Sequence, residues 1–176
     1  GPAGGVVGAS LAAIRSGEER ILGFDMGGTS TDVSRWDRQM LYRFETKVGP
    51  ARIQSPCLAI ETVAAGGGSI CSFGSGGLSV GPHSAGASPG PACYGAGGPL
   101  TVTDVNLLAG RVSADRFGIP VDVSAAESAL KDLMDSVADA GRERPERDEL
   151  LLGLLEIANE RMSEAMQSIS IREGAA

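Results

Sequence analysis

The short, mostly apolar run at residues 21–24 reads as a buried strand, and residues 33–36 read as a second strand. The eight residues 25–32 between them are polar and glycine-rich, which predicts a turn. Residues 41–48, LYRFETKV, alternate and predict a third strand. Residues 21–48 are therefore expected to form a three-stranded meander. Residues 53–63 read as a further extended piece, with Pro56 confining it to a sheet edge or an interruption. Residues 78–80 suit a short strand. Ahead of the strands, residues 6–14 suit a helix whose small side chains (Gly8, Ala9, Ser10, Ala12, Ala13) permit a close approach.

Beyond residue 120 the period changes from two to 3.6. Ser124 with Glu127 has the spacing of a capping box. Leu130, Leu133, Met134 and Val137 then share one helical face, and Gly141 is placed to end the helix. A longer helix is predicted over 148–170, with Leu151, Leu154, Leu155, Ala158, Met162, Ala165, Met166 and Ile169 on one side. The run GRERPERDE between the two reads as a charged surface loop. The methionines read as core filler.

Composition changes this picture in one region. Glycine supplies 26 of 176 residues, roughly twice the usual share, and 12 of them fall within residues 66–98. Residues 62–103 hold no Asp, Glu, Lys or Arg, in a chain that is 21% charged. Ile70, Cys71, Phe73, Leu78, Val80, Cys93 and Tyr94 interrupt the glycines, so ordered, tightly turned backbone is expected rather than a tether.

The net charge of −7 argues against a nucleic-acid or anionic-membrane partner held by general electrostatics. No apolar run is long enough for a transmembrane helix, and no leader pattern opens the chain. Cys57, Cys71 and Cys93 lack CxxC spacing and read as small buried hydrophobes in a reducing cytoplasm.

The string DMGGTSTD carries the most chemistry. Gly27 and Gly28 let backbone approach a ligand without a Cβ in the way. Successive N–H groups in such a turn form an anion-binding nest, and Thr29, Ser30 and Thr31 add hydroxyl donors. Asp25 and Asp32 would repel phosphate, but make sense with Mg²⁺ or its waters between carboxylate and phosphate. The same string also suits a plain glycine-rich hairpin. It is not a Walker A loop, since no GxxxxGK[ST] occurs. Asp104 and Asn106 are candidate polar site groups, with a helix start before Leu107 and Leu108 as the other reading. His83, the single histidine, reads as a loop residue.

GPAGGVVGA, FDMGGTSTDVSR, TVAAGGGS, VGPHSAGASPGPACYGAGGP and TVTDVNLLAGR occur in this order. Together they resemble the hydantoinase A/5-oxoprolinase family, of which acetone carboxylase subunits are more distant members. The resemblance is close over residues 1–111 and looser to Arg172–Glu173–Gly174. FDMGGTSTDVSR and TVAAGGGS look more like the oxoprolinase branch than the hydantoinase branch.

The resemblance implies an α/β fold: half of an actin-like, ribonuclease H-like ATPase domain, as a β-meander plus C-terminal helices with a Gly-rich insertion. On that reading residues 1–48 hold a connecting helix and a phosphate hairpin, 49–112 the insertion and 113–176 the helical part. It implies ATP-dependent opening of a cyclic amide, such as 5-oxoproline to glutamate. The alternatives are an N-methylhydantoinase or acetone carboxylase-type subunit, or a nucleotide-incompetent fragment. Asp25 and Asp32 would be catalytic, and Asp25, Asp32 and Asp104 would meet Mg²⁺. Gly27, Gly28, Thr29, Ser30 and Thr31 would bind ATP phosphates, with Gly66, Gly67, Gly68 and Ser69 as a second backbone cradle. A first hairpin would precede Gly1 and a nucleoside-contacting motif would follow Ala176, making the chain part of a longer polypeptide. The implied partners are a lactam, the rest of that polypeptide, and a B-type subunit or domain in a cytoplasmic oligomer. The chain departs from the family pattern at Ala59, Glu61, His83 and Ser88.

Overall fold

A computed structural model of the chain describes residues 1–172. The Glu173–Gly174 end of the resemblance lies outside the described residues. The chain forms two compact units that interleave along the sequence. Unit 1 comprises residues 1–25, 31–63 and the chain from 163 onward, and unit 2 comprises 26–30 and 64–162.

In unit 1, α1 (Pro2–Ser16) is followed by β1 (Arg20–Met26) and β2 (Thr31–Asp37). Pro2 sits in the first turn, where its missing N–H costs nothing. Gly17 in the left-handed region closes the helix by donating to Ala13 and Ile14. The helix buries Val6, Ser10 and Ala13, and a Cβ on Gly23 would meet the Ala9 methyl and the Ser34 hydroxyl. Ala9, Ser10 and Ala13 of the helix thus serve the close packing their size suggested, whereas Gly8 and Ala12 are exposed.

The sheet has the order β1–β2–β5, with β5 spanning Ile60–Val63. Its β2–β5 pairing is antiparallel and sets Asp32 opposite Thr62 and Ser34 opposite Ile60. The expected meander is therefore corrected. β3 (Tyr42–Val48) forms, but pairs with β4 (Ala51–Leu58) in a separate two-stranded ribbon. Alternation predicts a strand without naming its neighbour. Tyr42 and Phe44 of β3 are also open to solvent, Phe44 being 72% exposed. Between the pairs Arg43–Cys57 and Glu45–Gln54 the ribbon is bulged. Pro56 lies in that bulge, where its lack of a ladder donor does no harm.

Unit 2 holds the glycine-rich region. β6 (Ser69–Gly74) and β7 (Gly77–Ser84) form a hairpin, followed by a 3-10 turn at Ala92–Tyr94 and by α2 (Val102–Leu108). The peptides Gly81–Pro82 and Ser88–Pro89 are cis. α3 (Val123–Asp139) and the first part of α4 (Arg147–Arg172) pack against the hairpin. Leu130, Leu150 and Leu154 are the largest side chains fully buried there, each contributing about 1.5–3 kcal/mol of transfer free energy. The apolar face of α3 is the predicted one. Its N-cap is not Ser124 but Asp122, which accepts from the Ala125 N–H and from the Ser124 hydroxyl. Aspartate is as good a cap as serine, and the box partner Glu127 is engaged instead by Arg147 at 2.6 Å. These bonds hold the exposed Asp122 carboxyl below its usual range, the Ser124 hydroxyl contributing most.

Candidate phosphate loop and its support

The loop between β1 and β2 starts from its glycines. Gly27 donates its N–H to the Ser30 carbonyl at 2.9 Å, which closes the turn. Gly27, Gly28 and Thr29 are exposed and Ser30 is half-buried. A Cβ on Gly28 would meet nothing within 4 Å. The loop thus presents the backbone of Gly28 and Thr29 and the Thr29 side chain to solvent, while the Gly27 N–H is already engaged by the Ser30 carbonyl. Thr31 differs: it is fully buried and has a partner, so its hydroxyl faces the protein.

The second glycine-rich string does something other than expected. Gly67 donates its N–H to the Gly27 carbonyl at 3.0 Å, and Gly68 donates to the Gly28 carbonyl at 2.6 Å. Gly66 N–H donates to Ser69 Oγ at 2.9 Å, and Ser69 N–H returns to the Gly66 carbonyl at 3.0 Å. All four backbone N–H groups of residues 66–69 are consumed within the protein. The segment therefore buttresses the loop and is not arranged as a second anion cradle. Its glycines are required by contact, since a Cβ on Gly66 or Gly68 would stand 2.7–2.8 Å from loop backbone atoms. Glycine permits the close approach of a ligand or of backbone, and here the close neighbour is another stretch of backbone.

In unit 1, Asp25 is exposed and Asp32 is half-buried. Both line one cleft of about 220 Å³, with Gly5, Val6, Phe24, Ser34 and Ile60 among its other walls. Thr62 donates its hydroxyl to Asp32 Oδ1 at 2.6 Å. A Cβ on Gly5 would stand 3.1 Å from Asp25 Oδ2, so glycine in α1 leaves that carboxylate its room. Thr62 and Gly5 escaped the sequence reading because their relevance depends on strand register and helix packing. Among the described residues no three acidic, His or Cys side chains gather as a metal site. Two carboxylates in one cleft suit a cation that keeps most of its water shell, as Mg²⁺ does.

Asp104 is fully buried. Its Oδ2 accepts from Thr101 N–H and Thr101 Oγ1, both at 2.8 Å, and from Ala92 N–H at 3.1 Å; its Oδ1 accepts from Cys93 N–H at 2.7 Å. With Thr101 it forms the capping box of α2. Four donors from the chain itself occupy the carboxylate, so the cap reading replaces that of a metal ligand. Asn106 turns its amide onto the Val102 carbonyl at 2.9 Å. Burial, with Asp104 nearby, pushes the Cys71 and Cys93 thiols up to about 12. Cys57 is exposed, contrary to its expected burial.

The departures have local explanations. Ala59 is buried, and Glu61 accepts from Arg43 at 2.7 Å within unit 1. His83 and Ser88 are exposed.

Comparison with known proteins places these features. The chain is 44% identical over 183 residues to the 5-oxoprolinase PfmaA of Pestalotiopsis fici, an alignment covering 99% of this chain and 14% of that protein. The crystal structure of the ATP-dependent caprolactamase from Pseudomonas jessenii matches with a TM-score of 0.78 at 32% identity, over 93% of this chain and 24% of that one. The nucleotide-free acetone carboxylase structure shares the fold, with a TM-score of 0.82 at 24% identity over 98% of this chain and 25% of that one. The chain thus spans 14% of the length of the first of these relatives. The family model for hydantoinase/oxoprolinase matches residues 1–176. Covered by it from end to end, the chain belongs to the hydantoinase/oxoprolinase family.

Proposed function

We propose that the chain is part of an ATP-dependent cyclic-amide hydrolase of the 5-oxoprolinase kind, which converts 5-oxo-L-proline, ATP and water to glutamate, ADP and phosphate. The observation that carries this reading is the solvent-facing backbone of Gly27–Thr29, seated on Gly66–Gly68, in a chain so similar to a 5-oxoprolinase.

A lactam carbonyl is a poor electrophile. Transfer of the γ-phosphoryl group to the amide oxygen, with ADP leaving, makes the carbon open to water. The adduct then breaks its C–N bond, the ring nitrogen leaving as the amine, and a second water hydrolyses the resulting acyl phosphate to carboxylate and phosphate. The protein's share is positioning and neutralisation of charge. On this reading Gly27 and Gly28 bring backbone to the phosphates, and Thr29 and Ser30 add hydroxyl donors. Thr31 is buried and is not among these donors. Asp25 and Asp32 would hold Mg²⁺, which when bound neutralises phosphate charge. Either carboxylate can also orient the attacking water.

The partners on this reading are the lactam, the remainder of a longer polypeptide and a B-type subunit or domain in an oligomer. Three cysteines outside any disulfide suit a cytoplasmic setting. Among the described residues no helix is long and apolar enough to cross a membrane.

Asp25→Ala in the full-length enzyme is expected to abolish 5-oxoproline-stimulated ATP hydrolysis. Turnover at the wild-type rate in that variant would overturn the assignment of the loop. Stimulation by a ketone with bicarbonate, and not by lactams, would shift the reading to the carboxylase branch.

A further inference from the structure

The loop is held by a relay that begins outside it. Thr103 donates twice to the Gly67 carbonyl, from its N–H at 2.8 Å and from Oγ1 at 2.9 Å. The peptide group that carries this carbonyl also carries the N–H of Gly68, which donates to the Gly28 carbonyl at 2.6 Å. The Gly28 carbonyl in turn shares its peptide group with the N–H of Thr29. In a planar trans peptide the N–H points opposite to the C=O. With the Gly28 carbonyl turned onto Gly68, the Thr29 N–H points the other way, and Thr29 is exposed. Hydrogen bonds in such a chain polarise one another, so donors on the Gly67 carbonyl strengthen the donors further along.

The start of the relay is rigid. Thr101 and Asp104, on either side of Thr103 in the first turn of α2, are both fully buried and locked in the capping box. Gly67 is suited to its place because a Cβ there would stand 2.9 Å from Thr103 Oγ1. Every member of the relay belongs to unit 2.

We propose that Thr103 is a positioning residue which, through peptide groups 67–68 and 28–29, aims the Thr29 N–H at a bound nucleotide phosphate. The proposal rests on the reading of residues 27–30 as a phosphate loop. Thr103→Val keeps the shape and removes the hydroxyl donor, whereas Thr103→Ser keeps the donor.

The test is made in the full-length enzyme, with ATP and Mg²⁺ as the probe. Thr103→Val is expected to weaken binding about fivefold, as the loss of one neutral hydrogen bond implies. It is also expected to speed amide hydrogen exchange in the peptide carrying Gly67 and Gly68, while Thr103→Ser restores both. Unchanged affinity and exchange in Thr103→Val would overturn the relay, and so would failure of Thr103→Ser to restore them. If the wild-type enzyme binds no nucleotide, the phosphate-loop reading falls and the proposal with it, whatever the exchange shows.

Discussion

A methyl group on Gly66 would stand 2.7 Å from the carbonyl oxygen of Gly27. Nothing soft lies there to yield, since the opposing atoms are backbone. Gly66→Ala is therefore expected to cost about 1–3 kcal/mol in urea unfolding, the usual penalty of overpacking. It should also weaken nucleotide binding by displacing the loop. Gly28→Ala makes the opposite case, because its added Cβ has open space. Its stability should change by less than about 1 kcal/mol, while calorimetric titration with ATP and Mg²⁺ shows reduced affinity. Equal affinity in Gly28→Ala and wild type would mean that phosphate does not approach over this glycine.

Asp104 offers a test of the support beneath the loop. Its carboxylate accepts four hydrogen bonds in full burial. Asparagine at this position would turn a donor toward donors. Asp104→Asn should cost about 2–4 kcal/mol in chemical denaturation, in line with the loss of charge-assisted bonds at a buried site. A cost near zero would show that the cap does not hold the 3-10 turn at Ala92–Tyr94.

Thiol chemistry reports on the same neighbourhood. Cys71 and Cys93 are buried and Cys57 is exposed, and none of the three is in a disulfide. A thiol reagent at neutral pH should titrate one group per chain in the native protein and three in denaturant. Alkali gives a second reading. Both buried thiols ionise near 12 when folded and near 9.0 when unfolded. Above pH 9 the unfolded chain therefore holds fewer protons, and stability falls as pH rises toward 12. Unfolding midpoints measured between pH 8 and pH 10.5 should decline, and more weakly in Cys93→Ala.

Thr62 separates orientation from charge at Asp32. Its hydroxyl donates to Asp32 Oδ1 at 2.6 Å, and both side chains belong to unit 1. Thr62→Val should leave the fold intact and lower lactam-stimulated ATP hydrolysis by about three- to tenfold, the loss of one orienting bond. Asp32→Asn should lower it far more. Equal losses would make Thr62 as important as the carboxylate itself.

How much of this was legible in the sequence differs by kind of signal. Helices wrote themselves plainly, because Leu130, Leu133, Met134 and Val137 mark one buried face that local periodicity exposes. A glycine-rich turn between two strands was equally plain in DMGGTSTD. Strand partners were not, because the alternation of 41–48 fits a ribbon and a sheet alike. The role of Gly66–Gly68 was misjudged for a related reason. Glycine announces that something comes close, but only long-range pairing says that it is the Gly27 and Gly28 backbone. Asp104 was left with two readings by its sequence; its four buried donors favour the cap.

The ribbon of β3 and β4 leaves the sheet after β2 and returns at β5, with Ser34 and Ile60 already paired. The sheet registers only where this excursion departs and where it comes back. Closing a loop twice as long costs only about 0.6 kcal/mol more. The exposed turn at Gly49 and Pro50 is thus a natural grafting point. A fluorophore or affinity tag inserted there would ride on the ribbon while β1, β2 and β5 keep their order.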